Sequence, residues 1–179
     1  MIFTATELEG VFVLDIEARE DDRGFFARVF CVDELAAHGL ATEFVQSNAG
    51  VSTRAGTLRG MHFQRAPHAE VKLVRCTAGA VYDVAVDLRP GSLTRGRWVG
   101  VELTADNRRQ LYVPEGFAHG YQTLAADTEL VYATTHRYAP EAATGVRFDD
   151  PAFGIGWPLP VTSISDADTS WPDYEESAA

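Results

Sequence analysis

Between residues 71 and 135 the chain is a train of short apolar runs, each closed by a turn signal, and this pattern restricts the fold most. In residues 71–76, Lys72, Val74 and Cys76 fall on one face and Val71, Leu73 and Arg75 on the other. Gly79 closes that run. In residues 81–88, Asp83, Ala85 and Asp87 share a face opposite Tyr82, Val84 and Val86, and Pro90-Gly91 ends the run. Residues 98–103, 110–113 and 129–135 continue the series. Period-two alternation marks strands with two unlike faces. Many such strands at regular spacing predict an all-β sandwich or barrel.

The first half fits the same plan. Residues 11–16 and 25–30 read as strands around a polar turn at 20–24. Residues 33–39 read as the one clear helix, with Asp33 as N-cap and Gly39 as a left-handed stop. Residues 44–47 read as a strand, 49–56 as a small-residue loop, 65–68 as a turn and 115–120 as a loop carrying His119. From Tyr138 onward the chain is irregular and rich in proline, and residues 175–179 are expected to fray. The 179 residues predict a single domain over 1–179.

Charge and targeting signals narrow the partners. A net charge of −11 argues against a nucleic-acid surface. No run approaches the roughly 18 apolar residues of a membrane span, and the segment MIFTATELEG has no basic or apolar leader pattern. Cys31 and Cys76 show no CxxC spacing and read as free thiols in a reducing compartment. A cytoplasmic protein is expected.

The stretch TLRGMHFQ, residues 57–64, sets His62 in an apolar run ten residues before Lys72, the only lysine of the chain. Two readings stand evenly: a strand with a satisfied histidine, or a site for acid–base chemistry. His62 and His119 are far apart and no HxH occurs, so no metal site is expected. No GxSxG, GxxxxGK[ST] or dinucleotide fingerprint occurs, and no cofactor is expected. Proton abstraction beside a carbonyl needs a base, an oxyanion partner and an acid. A His, a Lys and a Tyr supply these. Inward residues of separate strands or loops that would meet in a barrel are His62, Lys72, Asp83, His119 and Tyr132.

These residues sit within DDRGFF (21–26), FVQSN (44–48), LRGMHFQ (58–64), KLVRC (72–76), YDVAVDLR (82–89), WVGVEL (98–103), NRRQLYVPEGFAHGYQTL (107–124), WP (157–158) and SDAD (165–168). On these blocks the chain resembles the dTDP-4-dehydrorhamnose 3,5-epimerase family, cofactor-free sugar epimerases of the RmlC-like cupin group. The resemblance implies a cupin-type jelly-roll barrel with a few short helices and an irregular C-terminal tail. It implies that His62 is the base and Asp168, rather than Asp166, its orienting carboxylate. Tyr132 would be the opposed acid and Lys72 the cation at the 4-keto oxygen. Asp83 and His119 would support that region. Arg23, Arg59, Gln46, Ser47 and Asn48 would contact the nucleotide and diphosphate, with Arg28 nearby, and Tyr138 would stack on the base.

The partner implied is a nucleoside-diphosphate 4-keto-6-deoxysugar, dTDP-linked, epimerised at C3 and C5 by a homodimer whose N-terminal strands join the partner's sheet. Alternatives are a C3- or C5-only epimerase, a non-catalytic sugar-nucleotide-binding barrel and a 3,4-ketoisomerase. Arg28, Ala143 and Ala167 depart from the residues usual in the family (Glu, Glu and Lys) at the nucleotide and sugar periphery, although Glu141 can substitute near Ala143. Strict alternation sets Arg59 on the face opposite His62. A bulge at Gly60 would bring the two together; otherwise Arg59 reaches the partner subunit.

Overall fold

Strands that must be apolar on both faces build this fold. The computed structural model describes residues 1–174, and the fraying expected over 175–179 lies outside them. In chain order the described elements are β1 (Ile2–Ala5), β2 (Phe12–Asp15), β3 (Arg19–Asp21), β4 (Gly24–Phe26), α1 (Val32–Ala37), β5 (Gln46–Ser52), β6 (Leu58–Gln64), β7 (Lys72–Ala78), β8 (Ala80–Asp87), β9 (Trp98–Thr104), β10 (Gln110–Val113), β11 (Phe117–Thr123), β12 (Thr128–Thr134), β13 (Ala143–Gly145) and α2 (Asp166–Thr169). One antiparallel sheet runs β1-β2-β10-β7-β12-β5 and the other β13-β6-β11-β8-β9, while β3 and β4 form a separate hairpin. Strands distant in sequence lie side by side, and the two sheets face each other as the jelly-roll barrel expected.

Three apolar layers hold it. Between the sheets, Val74 and Cys76 of β7 and Leu130 of β12 meet Val81 and Ala85 of β8 and Leu103 of β9. Outside the first sheet, Leu35 of α1 packs on Leu14, Leu73 and Tyr112. Outside the second, the tail lays Val146, Phe153, Ile155 and Trp157 over Val84 and Val86. Apolar burial at about 25 cal/mol per Å² is the dominant favourable term in such packing. The two faces predicted for β7 and β8 are thus both used, one inward and one under a cover.

The irregular tail is fixed by polar groups. The buried Gln122 amide donates to the Leu159 carbonyl at 2.8 Å and accepts from its N–H at 2.9 Å. Thr57 and Ser163 form an isolated parallel bridge. These contacts bring α2 and its Asp168 back to β6.

Several local expectations are corrected. Asp33 does not cap α1: Cys31 holds the N-cap position without a side-chain bond, and Asp33 lies in the first turn, where an acid suits the helix dipole. Gly39 does adopt the left-handed backbone, φ +69°. Strand structure after the polar turn stops at Phe26. Residues 49–52 are strand, because β12 supplies a full ladder to the small side chains of β5. Residues 117–120 are strand as well, since β11 pairs with β8 along its length, and the short β1 was absent from the predicted strands.

Asp87, fully buried at the end of β8, closes the following loop. Its carboxylate accepts from the Arg89 N–H and guanidinium, the Ser92 hydroxyl and the Thr94 hydroxyl at 2.6–3.0 Å. Burial alone would raise its pKa, but these bonds outweigh burial and hold it at about 2. A depressed carboxylate contributes stability that is complete above its unfolded pKa, 3.8, and is lost as pH falls through the folded value. Urea unfolding is expected to show a loss of about 2 kcal/mol from this group between pH 5 and pH 2, at ~1.4 kcal/mol per unit. Asp87→Asn should flatten that slope; an equally steep variant contradicts the assignment.

Candidate active site

Gly60 determines which side chains β6 offers to the barrel. His62 lies opposite His119 on β11, and Arg59 lies opposite Tyr121. Three residues advance along β6 while two advance along β11, so β6 carries a bulge. Gly60 accommodates it at φ +140°, a conformation that L side chains rarely adopt. A Cβ there would lie 2.5 Å from the Gly120 Cα, so the strands cross glycine against glycine. The extra residue cancels one step of alternation, and Arg59 and His62 both line the cavity. This is the bend foreseen at Gly60.

Behind His62 stands α2. Ser165 caps it by accepting from the Asp168 N–H at 3.1 Å, which fixes where Asp168 starts. The Asp168 carboxylate then lies 2.6 Å from His62 Nε2, and its other oxygen accepts from the Gly60 N–H at 3.3 Å. Burial would raise the Asp168 pKa, but the bonds from His62 and Gly60 hold it below the usual carboxylate range. Of the two acids in SDAD, Asp168 is the one paired with His62.

The first sheet supplies the opposite wall. In the β12 ladder Tyr132 lies between Val74 of β7 and Asn48 of β5, and Thr134 lies opposite Lys72. Lys72 and Tyr132 are therefore diagonal neighbours on one face. Gln46, Asn48, Lys72 and Tyr132 line the same cavity of about 850 Å³ as Arg59, His62 and His119. Burial, and next the Glu70 charge, push the Tyr132 phenol above its ordinary value; burial does the same for Tyr121. Both stay protonated donors at neutral pH. Tyr138 stands at the mouth, where its N–H donates to Gln46 Oε1 at 3.2 Å.

His119 pairs with Asp83, Nε2 to Oδ1 at 2.9 Å, in a fully buried contact. Asp83 thus supports the cavity wall from behind His119. Four residues expected to contact substrate do not line this cavity: Asp83, fully buried behind His119, and Ser47, Arg23 and Arg28. Ser47 points to the outer face of β5, since alternation that turns Gln46 and Asn48 inward turns Ser47 out. Arg23 is held by Asp21 on the exposed β3–β4 hairpin. Arg28 pairs with Glu34 at 2.6 Å. Ala143 and Ala167 do line the cavity, so these departures shorten its wall. Glu141 lies outside, 3.9 Å from His68.

Sequence reasoning missed Glu70 and Gln64. Glu70 pairs with Lys72, and Gln64 Nε2 donates to the other Glu70 oxygen at 3.0 Å. Pro67 and the turn at 65–68 obscured Glu70, although a carboxylate two residues from the only lysine was the available signal.

The family model described as dTDP-4-dehydrorhamnose 3,5-epimerase matches residues 5–176. A relative in Sinorhizobium fredii, named dTDP-4-dehydrorhamnose 3,5-epimerase, is 44% identical, with 98% of this chain and 91% of that protein covered. A Streptomyces niveus relative named dTDP-4-dehydrorhamnose 3-epimerase is 40% identical, covering 90% of this chain and 78% of that one. The crystal structure of dTDP-4-dehydrorhamnose 3,5-epimerase from Bacillus anthracis with TDP and PPi bound superposes with TM-score 0.93 at 40% identity, covering 97% and 99% of the two chains.

Proposed function

The chain belongs to the dTDP-4-dehydrorhamnose 3,5-epimerase family, and from that premise we propose how it inverts C3 and C5 of a dTDP-linked 4-keto-6-deoxyhexose. It is an isomerase of the epimerase type. The 4-keto group acidifies the hydrogens at C3 and C5. His62, oriented by Asp168, takes one of them. The Lys72 ammonium stabilises the oxygen of the enolate that forms. Tyr132 or water returns a proton from the other side; His62 then releases its proton to solvent and the donor takes one up, and the reset pair repeats the cycle at the second carbon to give dTDP-4-dehydro-L-rhamnose. Arg59, Gln46 and Asn48 face the diphosphate and nucleotide, and Tyr138 stacks on the base. Arg suits a diphosphate because its planar fork donates two bonds at once.

One observation carries this reading. His62 and Tyr132 stand on different sheets that face one cavity, so a sugar between them meets a base on one side and an acid on the other. Return from the side of abstraction gives only exchange; return from the opposite side gives inversion.

The whole chain acts as one domain, and we read it as a homodimer. Arg23 is 89% exposed and Phe26 75%, on a hairpin that lies outside its own cavity. A nucleotide contact for Arg23 therefore belongs to the cavity of a second copy. No described helix is long and apolar enough to cross a membrane, and the two free thiols fit the reducing cytoplasm. The second reading, epimerisation at C3 alone, is favoured by the name of the Streptomyces niveus relative.

NMR of the product formed in deuterated water decides between them. With dTDP-4-keto-6-deoxyglucose, deuterium and inversion are expected at both C3 and C5, and the CDP-linked sugar should turn over more slowly. Inversion at one carbon supports the mono-epimerase, and no exchange at either carbon overturns the enzyme reading. The specific rate should fall on dilution as the dimer dissociates; a rate independent of concentration with a monomer by sedimentation sinks the shared site.

A further inference from the structure

Lys72 does not stand alone at the reaction centre. Its ammonium is buried and pairs with the equally buried Glu70. The second Glu70 oxygen accepts from Gln64 Nε2 at 3.0 Å. Gln64 is itself held on every side: its two Nε2 protons are shared among Glu70, the His68 carbonyl at 3.0 Å and the Arg137 carbonyl at 3.2 Å, and its Oε1 accepts from the Ala139 N–H at 2.6 Å. Glu70, Gln64 and Lys72 all line the cavity. We propose that Glu70 is a positioning residue for the reaction, clamped by Gln64 so that it fixes the Lys72 ammonium where the enolate oxygen develops. The inference rests on the epimerase reading above.

The chemistry requires such an anchor. A lysine side chain has four rotatable bonds and a point charge with three donors. One donor spent on a fixed carboxylate leaves the others aimed, and removes the rotamer search from the step in which negative charge appears. Glu70 is suited to this because it has two acceptor oxygens for two donor partners. Gln at this position offers one acceptor and one donor, so it loses either Lys72 or Gln64. The Glu70 charge also reaches Tyr132, where it ranks after burial among the causes that keep the phenol protonated.

A structural ion pair at the start of β7 would have the same geometry but different kinetics. In Glu70→Gln and Glu70→Ala, kcat is expected to fall roughly tenfold or more, with KM and dTDP affinity by calorimetry near the parent values. A double-mutant cycle with Lys72→Met isolates the coupling. Because Glu70 acts through Lys72, adding Glu70→Ala to Lys72→Met should leave kcat where Lys72→Met put it. Parent kcat in both single variants, a rise in KM alone, or additive losses in the cycle overturn the proposal. If Glu70→Ala does not fold, Glu70→Gln keeps the size and carries the test. A parent enzyme that fails to exchange deuterium overturns the epimerase reading itself, whereas an active parent with indifferent Glu70 variants overturns only this inference.

Discussion

In the His62→Ala variant, deuterium wash-in at C3 and C5 and net epimerisation are expected to fall together by about 10²–10⁴-fold, the usual worth of a positioned general base. The side chain is half exposed to the cavity and no core layer depends on it, so the variant should fold and bind dTDP through Arg59, Gln46 and Asn48. The loss then appears in kcat. Asp168→Asn is expected to lose less, because the imidazole remains but its Nε2 partner at 2.6 Å is no longer a carboxylate. That ordering separates the proton carrier from the group that orients it. A folded His62→Ala protein exchanging at the parental rate at either carbon would falsify the assignment of His62 as base.

Gly60→Ala should produce the largest effect on stability. The added methyl meets the Gly120 Cα at 2.5 Å and the His119 carbonyl at 3.2 Å. Both are backbone atoms, so no side chain can swing aside. The residue must also hold φ +140°. Backbone strain of ~1–3 kcal/mol and overpacking of about the same size take roughly 2–6 kcal/mol from a domain whose whole stability is ~5–15 kcal/mol. The expected outcome is a midpoint shift in urea at constant m, or failure to fold, with activity reduced in whatever folds. If β6 escapes the clash by losing its bulge, Arg59 and His62 move to opposite faces and the cavity loses one of them. A variant with parental midpoint and kcat would show that the glycine contact is dispensable.

How far the sequence speaks for itself differs from residue to residue. The strands β7 and β8 were legible because alternation there is unbroken and Gly79 and Pro90-Gly91 close them, and β9 and β12 because their apolar runs continue the series. The bulge at Gly60 was one of two readings open to the sequence, because the family resemblance gave Arg59 and His62 to one site although they stand three positions apart. β5 was not, because QSNAGVS has loop composition. Its strand character comes from the β12 ladder, a nonlocal cause that no window around residue 49 contains. β11 was misread for a related reason: Gly120 is there to let β6 cross, and a glycine that serves close approach looks the same as one that ends a strand. Glu70 escaped because two residues in sequence and two groups in one network are different kinds of neighbour. His62 and Asp168 are 106 residues apart, and only similarity to a family related them before the fold did.

The solitary lysine has a practical consequence. Lys72 opens β7, whose neighbours in the sheet are β10 and β12. An endoprotease that cuts only after lysine therefore has one bond to attack, between Lys72 and Leu73, and both residues are buried. The scissile bond must leave two ladders before any protease can hold it. Cutting into fragments 1–72 and 73–179 thus counts openings of the barrel, and its rate follows the opened population when reclosure is fast. Lys72, which we propose holds the enolate oxygen, is also a built-in gauge of how often the barrel comes apart.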